Sequence, residues 1–210
     1  MSTDLPGLPA HAFAKEDGSP DRLFYASPRF VTHIDDRAIA AVAALYRELF
    51  PPNGVVLDLM GSWVAHLPED VAYAEVIGHG MNRAELEANP RYRRWFVQDL
   101  NENPTLPLAS QSLDAAAICV SIQYLQDPVA VLAEVRRALR PGGVLAIAFS
   151  NRCFPTKAVA IWLALGDEQH RRLVSLYLER AGFAALEPRM LLAPSAEGDP
   201  LWAVIGRTGL

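Results

Sequence analysis

The sequence has little with which to bind by charge or to cross-link itself. Only two of its 210 residues are cysteine, Cys119 and Cys153. Cys119 lies in an apolar run, where a thiol acts as a small hydrophobe, so a disulfide framework is not indicated and a reducing compartment is. No dense Lys/Arg run is present and the formal net charge is −5. Nucleic-acid binding needs a basic face, so such a partner is not expected. The amino end lacks the apolar core of a signal peptide, and no apolar run approaches the roughly 20 residues of a membrane helix. No His, Cys, Asp and Glu set has metal-ligand spacing. Glycine is scarce where a nicotinamide fold needs it, because Gly61 alone follows the first strand in place of G-x-G-x-x-G. These absences predict a soluble cytoplasmic protein with no metal, no membrane and no nucleic-acid partner.

What is present is one α/β pattern. Half of the residues, 51%, are hydrophobic, enough for one full core. Residues 1–20, rich in Pro, Gly and small polar residues, read as a mobile leader. Residues 21–52 form a lid and a helix: Phe24, Tyr25 and Phe30 surround the turn signal Pro28, and Asp35 or Asp36 caps a helix with Ala38, Val42, Leu45 and Leu49 on one face. Residues 53–150 form a core that opens on Val55-Val56-Leu57-Asp58-Leu59, a buried strand entering a small-residue turn. The spacing then predicts a helix over Val64–Val71, strands at Tyr73–Gly78 and Arg94–Gln98, and a helix over Arg83–Ala88 capped by Asn82. Ala115–Ser121 and Val144–Phe149 read as strands apolar on both sides, joined by a helix that starts at Asp127-Pro128. In residues 151–210, helices are expected over Lys157–Leu165 and Glu168–Ala181, the latter stopped by Gly182, with closing strands at Ala185–Leu192 and Leu201–Arg207. Strands alternating with helices imply a parallel sheet whose ligands sit at the strands' carboxyl ends.

The pieces VVLDLMGS, VIGHGMN, VQDL, LPLASQSLDAAAICVSIQYLQDP and VRRALRPGGVLAIAFSN, in that order over Val55 to Asn151, resemble class I S-adenosylmethionine-dependent methyltransferases. More narrowly, they are similar to the type 11 small-molecule group. The resemblance implies a Rossmann-like sheet of seven mostly parallel strands, the last antiparallel, with helices on both faces and a short N-terminal helical lid. It also implies S-adenosyl-L-methionine as cofactor and S-adenosyl-L-homocysteine as product. Position by position, Asp58, Met60, Gly61 and Ser62 would border the methionine part, and Ser121 its amino end. Asp99 would accept from the adenine amino group, with Leu100 framing the ring. Arg29 and Tyr25 would close over the carboxylate from the lid. Met60 and Ser62 stand where the family has Gly, and Gly80 replaces the acid that grips the ribose hydroxyls. Asn82, two residues later, carries an amide oxygen suited to one of those bonds.

Methyl transfer is an in-line displacement, so the protein mainly positions and desolvates. A base is needed only for a protonated acceptor. His33, beside Tyr25 and Arg29, is the base candidate; its alternative is a solvated histidine. Gln123 would orient substrate without taking its proton, and Tyr124 either packs or touches it. Asn151, Arg152, Phe154 and Lys157 follow the fifth strand as either a substrate loop or a solvated one, with Cys153 as a soft contact. His66 and His170 read as surface helix residues, and Trp162 as core or pocket wall. With no large insertion, a small-molecule acceptor and a monomer or homodimer are expected. The altered turn and missing acid leave a second reading, a methyltransferase-like binding or regulatory protein without catalysis.

Overall fold

The computed structural model describes residue 5, residues 8–9 and residues 11–209; the remaining part of the expected leader lies outside the described residues. Seven strands, β1 Val55–Leu59, β2 Glu75–Gly80, β3 Arg94–Val97, β4 Leu113–Cys119, β5 Leu139–Phe149, β6 Ala184–Leu192 and β7 Leu201–Arg207, form one sheet. Their order is β3-β2-β1-β4-β5-β7-β6. The pairs from β3 across to β5 are parallel, and β7 runs antiparallel to both of its neighbours. The expected sheet is therefore the observed one. β2 runs two residues further than expected, to Gly80, and β5 starts early because Leu139 already pairs with Leu113.

Alternation along the central strands sorts side chains to two apolar layers. In β5, Leu145, Ile147 and Phe149 join one layer while Val144, Ala146 and Ala148 join the other. The second layer is lined by small residues, Ala115, Ala117, Ala146, Ala148 and Ala203, and helix α2 (Asp36–Leu49) lies in it with Tyr46 stacked on Phe50 at 4.7 Å. Small strand residues leave room for such rings. Asp35 caps α2 by accepting from the Ala38 N–H at 2.8 Å. On the opposite face α4 (Pro128–Ala138), capped by Asp127, packs beside α6 (Asp167–Arg180). Gly182, at φ 84°, ends α6 as expected, with the Phe183 N–H returning to the Leu178 carbonyl. No helix among the described residues is long and apolar enough to cross a membrane.

The helix expected over Val64–Val71 does not form. Pro68 disfavours helical backbone at Leu67 and removes a donor, and His66 sits at φ 48°. Instead the segment is an ordered loop against α2, with Ala65 and Leu67 buried in the α2 layer. Asn89 Nδ2 donates to the Ser62 carbonyl at 2.8 Å, and Arg91 Nη2 donates to the carbonyls of Pro68 and Val71 at 3.3 and 3.1 Å. His170 is also misplaced by the sequence reading: it is buried in α6, stacked on the core residue Trp162 at 3.9 Å, and its Nε2 donates to the Trp162 carbonyl at 2.8 Å.

The end of the expected leader is packed, not mobile. Residues 12–17 run beside the short helix α5 (Ala160–Ala164), with Ala160 and Ile161 N–H groups donating to the carbonyls of Ala14 and Ala12 at 2.8 Å. Lys157, expected in a substrate loop, is the reason. Its side chain is 0% exposed, and Nζ meets Asp17 at 3.0 Å, Asp21 at 3.2 Å and the Ser19 carbonyl at 2.8 Å. Lys15 pairs with Asp21 on the other side. Asp21 opens helix α1 (Asp21–Phe24), so this buried cluster ties the lid to the end of β5. Removing one partner of a buried ion pair costs about 3–5 kcal/mol. Lys157→Met is expected to lower the melting temperature by roughly 6–20 °C, about 2–4 °C per kcal/mol for a chain of this size. Calorimetry that finds a shift under 2 °C would remove the cluster as the lid's anchor.

Candidate active site

The tips of β1 to β4 and the lid enclose a cavity of about 400 Å3, within the usual range for a small-molecule site. Its floor begins at the end of β1. Met60, in a position the family gives to Gly, adopts φ 60°. That left-handed turn costs a side-chain-bearing residue on the order of 1–2 kcal/mol, and hydrogen bonds from the next strand hold it. The Met60 N–H donates to His79 Nδ1 at 3.0 Å and the Gly61 N–H to the His79 carbonyl at 2.7 Å. Because a backbone N–H only donates, Nδ1 is unprotonated, and Nε2–H donates to the Gln98 carbonyl at 3.0 Å. Burial pushes the His79 pKa down to about 4, which keeps this neutral tautomer.

The tip of β2 is closely packed. A Cβ on Gly80 would lie 2.5 Å from the Gly61 carbonyl oxygen, so the turn occupies space that any side chain there would need. Asn82 caps α3 (Arg83–Ala88) through Oδ1, while its Nδ2 donates to the lid carbonyls of Tyr25 and Ala26 at 2.9 and 3.1 Å. The expected ribose role for Asn82 thus meets an amide engaged at both ends. Glu85, one turn on, accepts from the Arg29 N–H at 2.7 Å and from the Ser62 hydroxyl. The lid is fastened to α3 by these two residues.

Beneath β1, Asp58 is buried and accepts from the Tyr92 hydroxyl at 2.7 Å. Burial raises its pKa from 3.8 to about 7, against the lowering effect of the Tyr92 bond. Across the cavity β4 ends at Val120, whose φ of 45° is rare for a β-branched residue. The following Ser121 leaves a buried hydroxyl with no partner. At the tip of β3, Asp99 Oδ1 accepts from the Asn101 N–H at 2.9 Å, and its other oxygen has no partner among the described residues. Asp99 and Leu100 both line the cavity.

The lid wall is aromatic. Arg29 lies over Phe24 at 4.5 Å, Phe154 at 5.5 Å and Tyr25 at 5.7 Å, and its Nη1 is buried with no partner. His33 meets Phe154 edge-on at 5.3 Å, and burial lowers its pKa, so it is neutral at pH 7. Tyr25 and Tyr124 also line the cavity, but burial raises both hydroxyls, Tyr124 to about 12, so both stay protonated. That removes Tyr25 as a proton acceptor near neutrality. Arg152 lines the cavity and pairs with Asp199 at 3.2 Å.

Three expected site residues stand outside. Lys157 is the lid anchor described above. Gln123 is buried, its Nε2 donating to the Val120 carbonyl at 2.9 Å, and Asn151 is exposed beyond β5. Residues missed by the sequence reading are His66, Glu85, Asn101 and Cys119, all lining the cavity, and His79, expected at the end of the second strand on the ribose side, lines it too. His66 is not a surface helix residue: its Nδ1 is buried without a partner, and burial with the nearby His33 holds its pKa at about 4. Pro68 is the one local signal that could have placed it. Both cysteines are free, as expected, and burial raises Cys119 to about 12. Among the described residues no group of three or more His, Cys, Asp or Glu is placed to hold a metal.

Residues 60–147 match the family model of a methyltransferase domain. Over that part the chain resembles a methyltransferase domain, and its sheet order is the one expected above of class I S-adenosylmethionine-dependent methyltransferases. It is similar to a ubiquinone biosynthesis O-methyltransferase of Parvibaculum lavamentivorans, 24% identical over 92% of this chain and 77% of that protein. A 37.1 kDa protein in transposon TN4556 of Streptomyces fradiae is 31% identical over 65% of this chain, which spans 43% of that protein's length. Among solved structures, the [4+2]-cyclase SpnF superposes with a TM-score of 0.65 at 13% identity, over 88% of this chain and 90% of that one. One fold thus carries different chemistries, and residues must decide between them.

The methyltransferases that the chain resembles use S-adenosylmethionine, and this cavity suits that cofactor at two ends. The unpartnered Arg29 Nη1 and Ser121 hydroxyl suit the amino-acid end. The open oxygen of Asp99 suits an adenine amino group. The β1 turn fits it less well, since its two N–H groups already donate to His79.

Asp58 yields a pH test. The folded protein holds its proton up to about pH 7, whereas the unfolded chain releases it near 3.8. Ionisation therefore favours unfolding as pH rises through that window, by roughly 4 kcal/mol in total, and adds nothing above it. Asp58→Asn is expected to gain stability relative to the wild type between pH 4 and pH 8. Denaturation at several pH values that gives a constant difference would show Asp58 ionised in the fold.

Proposed function

We propose that the chain holds S-adenosylmethionine across the tips of β1 to β4 and directs methyl transfer to a small-molecule acceptor beneath the lid. The observation that carries this reading is one cavity whose lining residues include three buried polar atoms without partners, Arg29 Nη1, His66 Nδ1 and Ser121 Oγ. Buried polar groups are normally paired, so three such atoms around one cavity support a polar ligand there. When bound, the donor supplies an electrophilic methyl group on a sulfonium. The chain's residues supply position: Arg29 for the carboxylate, Ser121 for the amino end, Asp99 with Leu100 for adenine. Neutral His33 at the lid is available to take a proton from an acceptor hydroxyl. The relative named as an O-methyltransferase makes oxygen acceptors the first class to try. A second reading, a binding protein without methyl transfer, is favoured by the committed amides of the β1 turn.

Wild-type protein is expected to melt higher with S-adenosylhomocysteine, and Asp99→Asn to bind it about tenfold more weakly, because a charge-assisted bond of about 1.5–3 kcal/mol becomes a neutral one of about 1 kcal/mol. Unchanged affinity by calorimetry would remove Asp99 from the adenine site. Transfer of label from methyl-labelled donor to any panel phenol or enol separates the two readings.

A further inference from the structure

The polar groups at the tip of β2 are all engaged by the protein itself. His79 uses one ring nitrogen on the Met60 N–H and the other on the Gln98 carbonyl, both at 3.0 Å, with the side chain buried. Asn82 uses its oxygen on α3 and its nitrogen on the lid. Glu85 uses one oxygen on the Arg29 N–H and one on Ser62. Gly80 has no side chain, and the Gly61 carbonyl fills the space next to it. In nucleotide folds this strand tip carries the carboxylate that grips ribose hydroxyls; here each side-chain polar atom of His79, Asn82 and Glu85 already has a protein partner.

We propose that His79 stands in for the glycine missing at position 60 and closes the strand tip from which the acid is missing. It clips the tips of β1, β2 and β3 together, fixes the Met60 turn as a positioning residue, and leaves a donor site that reads the adenine and amino-acid ends but not the ribose hydroxyls. The proposal rests on the donor-site reading given above. It explains why two departures from the family pattern, at Met60 and Gly80, occur together. A Met at φ 60° needs a bond to hold it, the imidazole supplies that bond, and the turn it holds lies where a side chain at position 80 would project.

The test compares S-adenosylhomocysteine with its 2′-deoxyribose analogue by calorimetry on the full chain. The two affinities are expected to agree within about threefold. A tenfold or larger loss with the deoxy ligand overturns the proposal while leaving the donor site intact. Failure of both ligands to bind wild-type protein overturns the donor-site reading, and this inference with it. Gly80→Asp, which restores an acid, is expected to bind no tighter than wild type; a gain in affinity overturns the proposal.

Substitutions at His79 separate positioning from packing. His79→Asn keeps an acceptor for the Met60 N–H, His79→Gln reaches only toward Gln98, and His79→Leu does neither. Affinity for S-adenosylhomocysteine is expected to be near wild type in Asn and at least tenfold weaker in Gln and Leu. Equal binding by Gln and Asn overturns the positioning role. Should the Leu variant fail to fold, nitrogen-15 NMR of unliganded wild-type protein decides the clip by itself. The expected signal is a neutral ring protonated at Nε2 and unchanged from pH 7 to pH 5. Titration near 6.5, or a proton on Nδ1, overturns it.

Discussion

Two backbone N–H groups at the end of β1 are held by a single residue of the neighbouring strand, and much of the site follows from that. In a parallel sheet, the turn after the first strand usually offers its amides to a ligand, helped by a following helix N-terminus. Here there is no such helix, because Pro68 and the left-handed His66 stop one from forming. An amide without a helix or ligand must find another acceptor when buried. The imidazole of His79 is that acceptor, and its low pKa keeps the ring in the one tautomer that works. The turn is thereby drawn against β2, close enough that only glycine fits at position 80.

The lid follows a similar logic of local satisfaction. Arg29 sits among three rings with part of its guanidinium unpaired, a costly arrangement for a buried donor unless something completes it. It is held there from two directions. Asn82 and Glu85 fasten the lid backbone to α3, and the Lys157 cluster anchors the segment before it to the end of β5. The lid is therefore part of the cavity wall in this structure, and Asn101 joins it to β4 by bridging Asp21 and the Tyr124 carbonyl at 3.0 Å each.

Much of this was legible in the sequence, and the part that was not has a common cause. Short apolar runs located all seven strands and period-3.6 patterns α2, α4 and α6, because burial of one face or both writes itself into spacing. The Asp127 cap, the Gly182 stop and the Asn82 cap were likewise local. Hidden were the pairings between distant residues: Tyr92 with Asp58, His79 with Met60, Lys157 with Asp17 and Asp21. Lys157 reads as a solvated loop cation until its partners are known to fold over it. The helix over Val64–Val71 was expected from apolar residues alone, and Pro68, visible in the same stretch, outweighed them.

The family's reaction asks little of a protein beyond geometry, which bears on how far its motifs can drift. The reacting group arrives already activated, so alignment and exclusion of water carry the catalysis. A chain can then lose a glycine, a helix and an acid, provided the ends of the donor are still located by something rigid. In the donor site proposed above, those rigid elements are the tips of β3 and β4, with Asp99 and Ser121, closed by Arg29. The β1 turn, braced internally by His79, becomes a wall and no longer a set of ligand donors. A site arranged in this way separates fold from recognition: the sheet order is kept, while the contacts proposed for the donor move from the β1 turn to the tips of β3 and β4 and the lid.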